Sequence, residues 1–269
     1  IVFGDWSSDV CSSDLVPREE IHGTLIVSTS VHEEKHEGAA LAKVMEATKP
    51  DFVVICEPNG ACLGIGQKGR AGITVDVSGV PAHSSVPHLG DNAILKATEV
   101  IHRLDKMPLP KDEILGDAIM VLIDGISHPY PSRSTIPVSF FLHYDRRLVQ
   151  NETEDSVMAL IREGLKDLKD WVVDYQHIKL PTYTGLEMDE IDFHPAWVID
   201  VKSAWVERAK KGLLRGGIQP QFGTAKFCTN GSYSAGVAKV PTIIFGPSSG
   251  MLAHCQDEHI EIAELLQGA

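Results

Sequence analysis

The chain has no stretch approaching the roughly 20 apolar residues that span a bilayer. It also lacks a basic segment followed by an apolar core and a small-residue cleavage site. A membrane or secreted protein is therefore not the expectation for these 269 residues; a cytoplasmic one is. Positive charge is short, with 24 Lys and Arg against 37 Asp and Glu and a formal net charge of −13. That balance is the wrong sign for a nucleic-acid partner. The five cysteines, Cys11, Cys56, Cys62, Cys228 and Cys255, are odd in number and form no C-x-x-C pair, which argues against a disulfide framework or a zinc knuckle. Internal repeats and low-complexity linkers are absent as well. What is present, at 43% hydrophobic content, is enough to bury one large core or two modest ones.

The opening segment stands apart. DWSSDVCSSDL, from Asp5 to Leu15, follows neither helical nor strand periodicity and reads as a polar loop. It also resembles the conceptual translation of a sequencing-library adapter. Residues 1–15 are accordingly expected to be a non-native segment, with authentic sequence lost upstream of it.

Beyond it, Gly23 to Ser30 reads as a strand, Gly38 to Ala47 as a helix, and the continuously apolar Asp51 to Cys56 as a strand covered on both faces. This is a βαβ unit of a doubly wound sheet. The glycines of GIGQKGRAG break regular structure. The next segments are Ile73–Ser78 (strand), Asn92–Leu104 (helix), Ala118–Ile123 and Val138–Tyr144 (strands), Thr153–Leu168 (helix) and Trp171–Ile178 (strand). The order βαββαβ is ferredoxin-like. Pro195 to Leu214 is helical in pattern, Val240 to Pro247 is a buried strand, and Ile260 to Leu266 begins a terminal helix. The expected fold is a discontinuous α/β domain over 16–68 and 182–269, interrupted by an inserted α+β domain over 69–181.

Open α/β sheets hold their ligands at the carboxyl ends of the strands. Glu33 and Glu34 follow one such strand, Glu57 ends the next, and His254 follows the last. Carboxylates with an imidazole suit zinc, cobalt or manganese. Adjacent acids point in different directions, so one can hold a metal while its neighbour moves a proton. Each has a plainer alternative: acids near a helix N-terminus are favoured by its dipole, Glu57 before Pro58 fits an exposed loop, and His254 fits a structural histidine.

Taken together, HEEKHEG, ICEPNG, GVPAHSSVPHLGDNAI, DRRL and AHCQDEHIEI resemble the M20 family of metallohydrolases. That family includes carboxypeptidases, acetylornithine deacetylases and succinyl-diaminopimelate desuccinylases, and the match comes nearest a selenium-metabolism-linked branch. The resemblance covers nearly everything from about residue 20 onward. It implies a zinc-exopeptidase-like catalytic domain with an inserted lid and dimerisation domain. It also implies a homodimer, two divalent ions with zinc foremost, and hydrolysis of amide or peptide bonds in small carboxylate-bearing substrates. By position, Glu33 matches the general base, Glu34 and His254 two ligands of one metal, and Glu57 a ligand of the other. His83, in AHSS, matches a histidine that reaches the partner subunit's site and stabilises an oxyanion; alternatively it is a loop hydrogen-bonder. Arg147 matches an arginine able to bind a substrate carboxylate; alternatively it forms a surface ion pair with Asp145 or Glu152.

Two departures stand out. Where the family has a glycine-rich segment with an acid, this chain reads FCTNGSYSAG, so Asn230 and Ser232 are candidate substrate contacts, or ordinary turn residues. The family's H-x-D motif and metal-bridging Asp, both upstream of the paired glutamates, are missing, since His22 is followed by no x-Asp. One metal would therefore lack its histidine and the pair its bridge, which predicts an impaired fragment with an unpaired sheet edge. Two other classes stay open: a cysteine-dependent amidohydrolase using Cys255 or Cys56, and a non-catalytic binding or oligomerisation protein.

Overall fold

The computed structural model describes residues 2–4, 22–128 and 133–268. The adapter-like stretch and Cys11 lie outside them. A seven-stranded mixed sheet forms the host domain. Its strands are β1 (Val2–Gly4), β2 (Val27–Ser28), β3 (Val53–Cys56), β4 (Leu63–Gln67), β12 (Trp197–Val198), β13 (Phe222–Ala225) and β14 (Thr242–Ile244). They lie in the order β12-β4-β14-β3-β1-β2, with β13 beside β4. Strands β2, β1, β3 and β14 are mutually parallel, so their carboxyl ends share one edge. Strand β1 thus occupies a rung between β2 and β3, inside the segment expected to be foreign.

Helix α1 (Ala39–Thr48) buries Leu41 and Met45 against Val53, Ile55 and Ile244. On the opposite face α4 (Ala204–Arg215) sets Val206 against Leu63 and Ile243. Alternate residues of β3 and β14 therefore serve two cores, the pattern of a sheet covered on both sides. The helix expected from Pro195 begins only at Ala204, where the Ser203 hydroxyl accepts from the Val206 N–H. Ahead of it, Trp197 is drawn into β12 and buried.

The inserted unit comprises β5 (Gly69–Ser78), α2 (Ala93–Asp105), β6 (Ile119–His128), β7 (Ser139–Leu148), α3 (Glu154–Leu165) and β8 (Trp171–Tyr175). Its antiparallel sheet runs β8-β5-β7-β6, so the ferredoxin-like βαββαβ order is present. Ile73, Val75, Val77, Leu142, Tyr144 and Leu148 alternate inward to meet Val100, Leu104, Val157, Ile161 and Leu165 of the two helices. Each fully buried aliphatic side chain there contributes about 1.5–3 kcal/mol, so packing rather than helix propensity holds the layer together.

Several elements were not anticipated, among them β4 and the segment after β8. The run around GIGQ is not a break but β4, buried at every position. Its glycines serve close packing: a Cβ on Gly66 would lie 2.6 Å from the Trp197 carbonyl oxygen. After β8 a separate hairpin, β9 (His177–Pro181) with β10 (Glu187–Ile191), precedes β11 (Phe193–His194), which pairs with the start of β5. From there the chain returns to the host sheet at β12.

Candidate functional site

The loop from β2 to α1 carries the paired acids. His32 opens a tight turn at φ 58° whose carbonyl accepts from the N–H groups of Lys35 (3.1 Å) and His36 (3.0 Å). The turn splits the two glutamates, leaving Glu33 buried at 8% exposure and Glu34 open to solvent at 63%. Across from it, in the loop after β14, His254 adopts φ 58°, with its N–H donating to Glu258 Oε2 at 3.0 Å. His254 Nε2 lies 3.4 Å from Glu34 Oε2. Ligand atoms around a tetrahedral ion with bonds of about 2.0–2.1 Å stand about 3.3–3.4 Å apart, a separation that an ordinary histidine–carboxylate ion pair also spans. Glu57 follows the last residue of β3 at the same sheet edge. Gly246 presses against its backbone, where a Cβ would come within 2.4 Å of the Glu57 carbonyl oxygen.

Other candidates sit elsewhere. His83 is exposed in the inserted unit and forms an isolated bridge with Thr135. Its Nδ1 accepts from the Ser85 N–H at 3.2 Å and lies 2.8 Å from Ser85 Oγ. A neutral ring in that arrangement carries its proton on Nε2, a donor with no hydrogen-bond partner among the described residues. Arg147, on the sheet face away from the helices, pairs with Asp145 (Nε–Oδ1 2.8 Å). Glu152 instead pairs with the buried Arg146. Asn230 and Ser232 are buried at 3% and 1% exposure. Asn230 Oδ1 accepts from the Gly38 N–H at 2.8 Å, and its Nδ2 donates to Ser30 Oγ at 3.3 Å. Both bonds run to the segment that carries the paired acids, one to the Gly38 backbone and one to the Ser30 hydroxyl. Gly38 must be glycine, because φ is +84° and a Cβ would stand 2.7 Å from Tyr233 Cβ. The Cys255 thiol donates to the Leu252 carbonyl at 2.9 Å, so its hydrogen bond goes to backbone and not to a histidine base.

A second cluster escaped the sequence reading. His36, Asp192 and His194 are buried with candidate ligand atoms all within 4.8 Å of one another. His194 Nε2 lies 2.9 Å from Asp192 Oδ1 and 3.2 Å from His36 Nδ1. The cationic place among them is already filled by Arg70, which donates to Asp192 Oδ2 (2.9 Å) and to Glu37 Oε1 (3.0 Å) and Oε2 (2.7 Å). Burial lowers the His36 pKa, and His194 lowers it further. Burial would raise the Glu37 and Asp192 carboxyls, but Arg70 outweighs it at the first, and His194 with Arg70 at the second, so both lie below the usual carboxylate range. The D-F-H alternation, which puts Asp192 and His194 on one face, was the available signal. Their partners lie more than 120 residues away in the sequence.

Residues 65–172 match the peptidase dimerisation domain family of the M20 peptidases. The inserted unit is an M20 peptidase dimerisation domain. Among curated proteins, the uncharacterized protein YgeY of Escherichia coli K12 is 32% identical over 243 residues, covering 87% of this chain and 60% of YgeY. A probable succinyl-diaminopimelate desuccinylase of Staphylococcus aureus is 24% identical over 270 residues, 89% of this chain and 63% of that protein. The chain thus spans about three fifths of the length of these relatives. Among solved structures, a Staphylococcus aureus tripeptidase superposes with a TM-score of 0.69 at 19% identity, over 96% of this chain and 64% of that one. The M20 dimerisation domain and its host sheet therefore share the fold of a solved peptidase. Among the described residues, no helix is long and apolar enough to cross a membrane.

Proposed function

We propose that this chain belongs to a metal-dependent hydrolase that cleaves an amide or peptide bond in a small carboxylate-bearing substrate, either an N-acyl-amino acid or a short peptide. The observation that carries the reading is the 3.4 Å approach of His254 Nε2 to Glu34 Oε2, made by residues 220 positions apart. Its companions support it: Glu33, next to Glu34 in the chain, is buried where a base is shielded from bulk water, and Glu57 shares the sheet edge. The names of the relatives, a desuccinylase and a tripeptidase, point the same way.

In this reading Glu34 and His254 hold one divalent ion and Glu57 contributes to a second, zinc being the first choice and cobalt or manganese the alternatives. Bound ions of this kind acidify water and polarise a carbonyl. Glu33 takes the proton of the attacking water and delivers it to the leaving amine. His83 donates from Nε2 to the developing oxyanion in the site of a partner subunit. The means of pairing is β6, the outer strand of the inserted sheet, which exposes Ile119, Val121, Ile123 and Ile126. Such an edge joins naturally to the same edge of a second copy about a two-fold axis. Arg147, already paired with Asp145, is a weaker candidate for the substrate carboxylate.

The test is Glu33→Gln, measured on this chain and on a parent polypeptide of the full length of its relatives. The substrates are a panel of N-acyl-amino acids and dipeptides with added zinc, cobalt or manganese. Hydrolysis by the parent should fall about 10²- to 10⁴-fold with metal content unchanged. Activity that survives the substitution, or that responds to thiol alkylation and not to chelators, refutes the mechanism.

A further inference from the structure

The loop that carries Glu33 and Glu34 is tied down on both sides of them. His32 Nε2 reaches the Pro181 carbonyl at 3.0 Å. The Gly38 N–H is held by Asn230. Between these, His36 meets His194, Glu37 receives three guanidinium bonds, and the Lys35 carbonyl accepts from Arg70 at 3.5 Å. Most of these tethers lead out of the host sheet. Arg70 is the second residue of β5, where the chain enters the inserted unit, and its partner across the ladder is His194 of β11, where it leaves. Pro181 belongs to the intervening hairpin.

We propose that Arg70 is a positioning residue for the metal carboxylates: its planar fork, held by Asp192, fixes Glu37 and thereby the turn that presents Glu34 to His254. The inference rests on the metal reading above. It assigns to the crossing between the two domains a role in building the site. A lysine in this place keeps the charge and loses the bidentate geometry. Partners outside the ligand sphere typically change metal affinity by about 10- to 100-fold.

The experiment is a zinc titration of the chain against a chromogenic chelator at fixed pH, paired with thermal melts, for the parent, Arg70→Lys, Glu37→Gln, Glu34→Gln, His254→Ala and His194→Ala. The expected result is zinc binding weakened at least about tenfold in both Arg70→Lys and Glu37→Gln, with a folded melting transition retained. If Glu34→Gln and His254→Ala weaken binding while Arg70→Lys and Glu37→Gln leave it intact, the positioning role is refuted and the metal site stands. If Glu34→Gln and His254→Ala have no effect, the site reading fails and this inference falls with it. Loss of a zinc equivalent in His194→Ala but not in His254→Ala would place the ion at the buried triad and overturn the proposal. Glu37→Gln keeps the test decisive if the lysine variant unfolds.

Discussion

Replacing Asn230 with alanine separates a scaffold role from a substrate contact. The substitution removes the acceptor of the Gly38 N–H at 2.8 Å and the donor to Ser30 Oγ at 3.3 Å, at a position only 3% exposed. A buried polar group left without its partner costs about 1–3 kcal/mol; the first bond is taken at about 1–2 kcal/mol and the longer second one at about 1 kcal/mol. The sum is about 2–3 kcal/mol. At about 2–4 °C per kcal/mol for a domain of this size, the melting midpoint should fall by roughly 4–12 °C. Asn230→Asp is the informative companion, since it keeps an acceptor for Gly38 while burying a charge, which carries its own desolvation cost. Both variants should lose stability in a thermal melt followed by circular dichroism. If Asn230→Ala melts within a degree of the unsubstituted chain while raising KM in a full-length polypeptide, the scaffold reasoning is wrong and the amide contacts substrate.

Two further outcomes are expected. Ile123→Lys, at a position 61% exposed on the outer strand β6, should shift the protein from dimer to monomer in light scattering after size-exclusion chromatography; an unchanged dimer would move the interface elsewhere. Acid should loosen the crossing between the domains. Glu37 and Asp192 titrate below their ordinary values in the folded state, so the unfolded chain binds more protons as pH falls. Their stabilisation is complete above the ordinary glutamate value of 4.5 and is lost on descent through the depressed folded values. Glu37→Gln should flatten the acid limb of a stability–pH profile, and a limb unchanged in that variant would remove Glu37 as its source.

What the sequence disclosed follows from range. The βαββαβ order was legible because each element of the insert carries its own period, and Ile73, Val75 and Val77 announce an inward face without reference to anything distant. The approach of Glu34 to His254 was legible because strand ends in a parallel sheet share an edge. Strand β4 was hidden because its glycines read as breaks, whereas they let β12 and β14 come close: a Cβ on Gly64 would stand 2.7 Å from Ile244 Cβ. The helix expected over 195–214 failed at its start because the burial of Trp197 in β12 overrides local propensity. The Arg70 cluster was illegible because its three segments, at 36–37, 70 and 192–194, meet only through tertiary structure. Asn230 reads as a turn former in any local window; its burial comes from the opposing loop.

The ladder at the domain crossing has a consequence for modularity. Gln67 pairs with Trp197, Arg70 with His194 and Ala71 with Phe193, so the inserted unit leaves the host and rejoins it on facing rungs of antiparallel ladders, about 5 Å apart. A segment whose two ends nearly touch can be lifted out and its gap closed with a short turn without shifting the register of the host sheet. The same geometry would leave the excised segment with its termini side by side. A cut between β4 and β12 would also take Arg70, Asp192 and His194 with the segment, so the tethers of the acidic loop would leave with it.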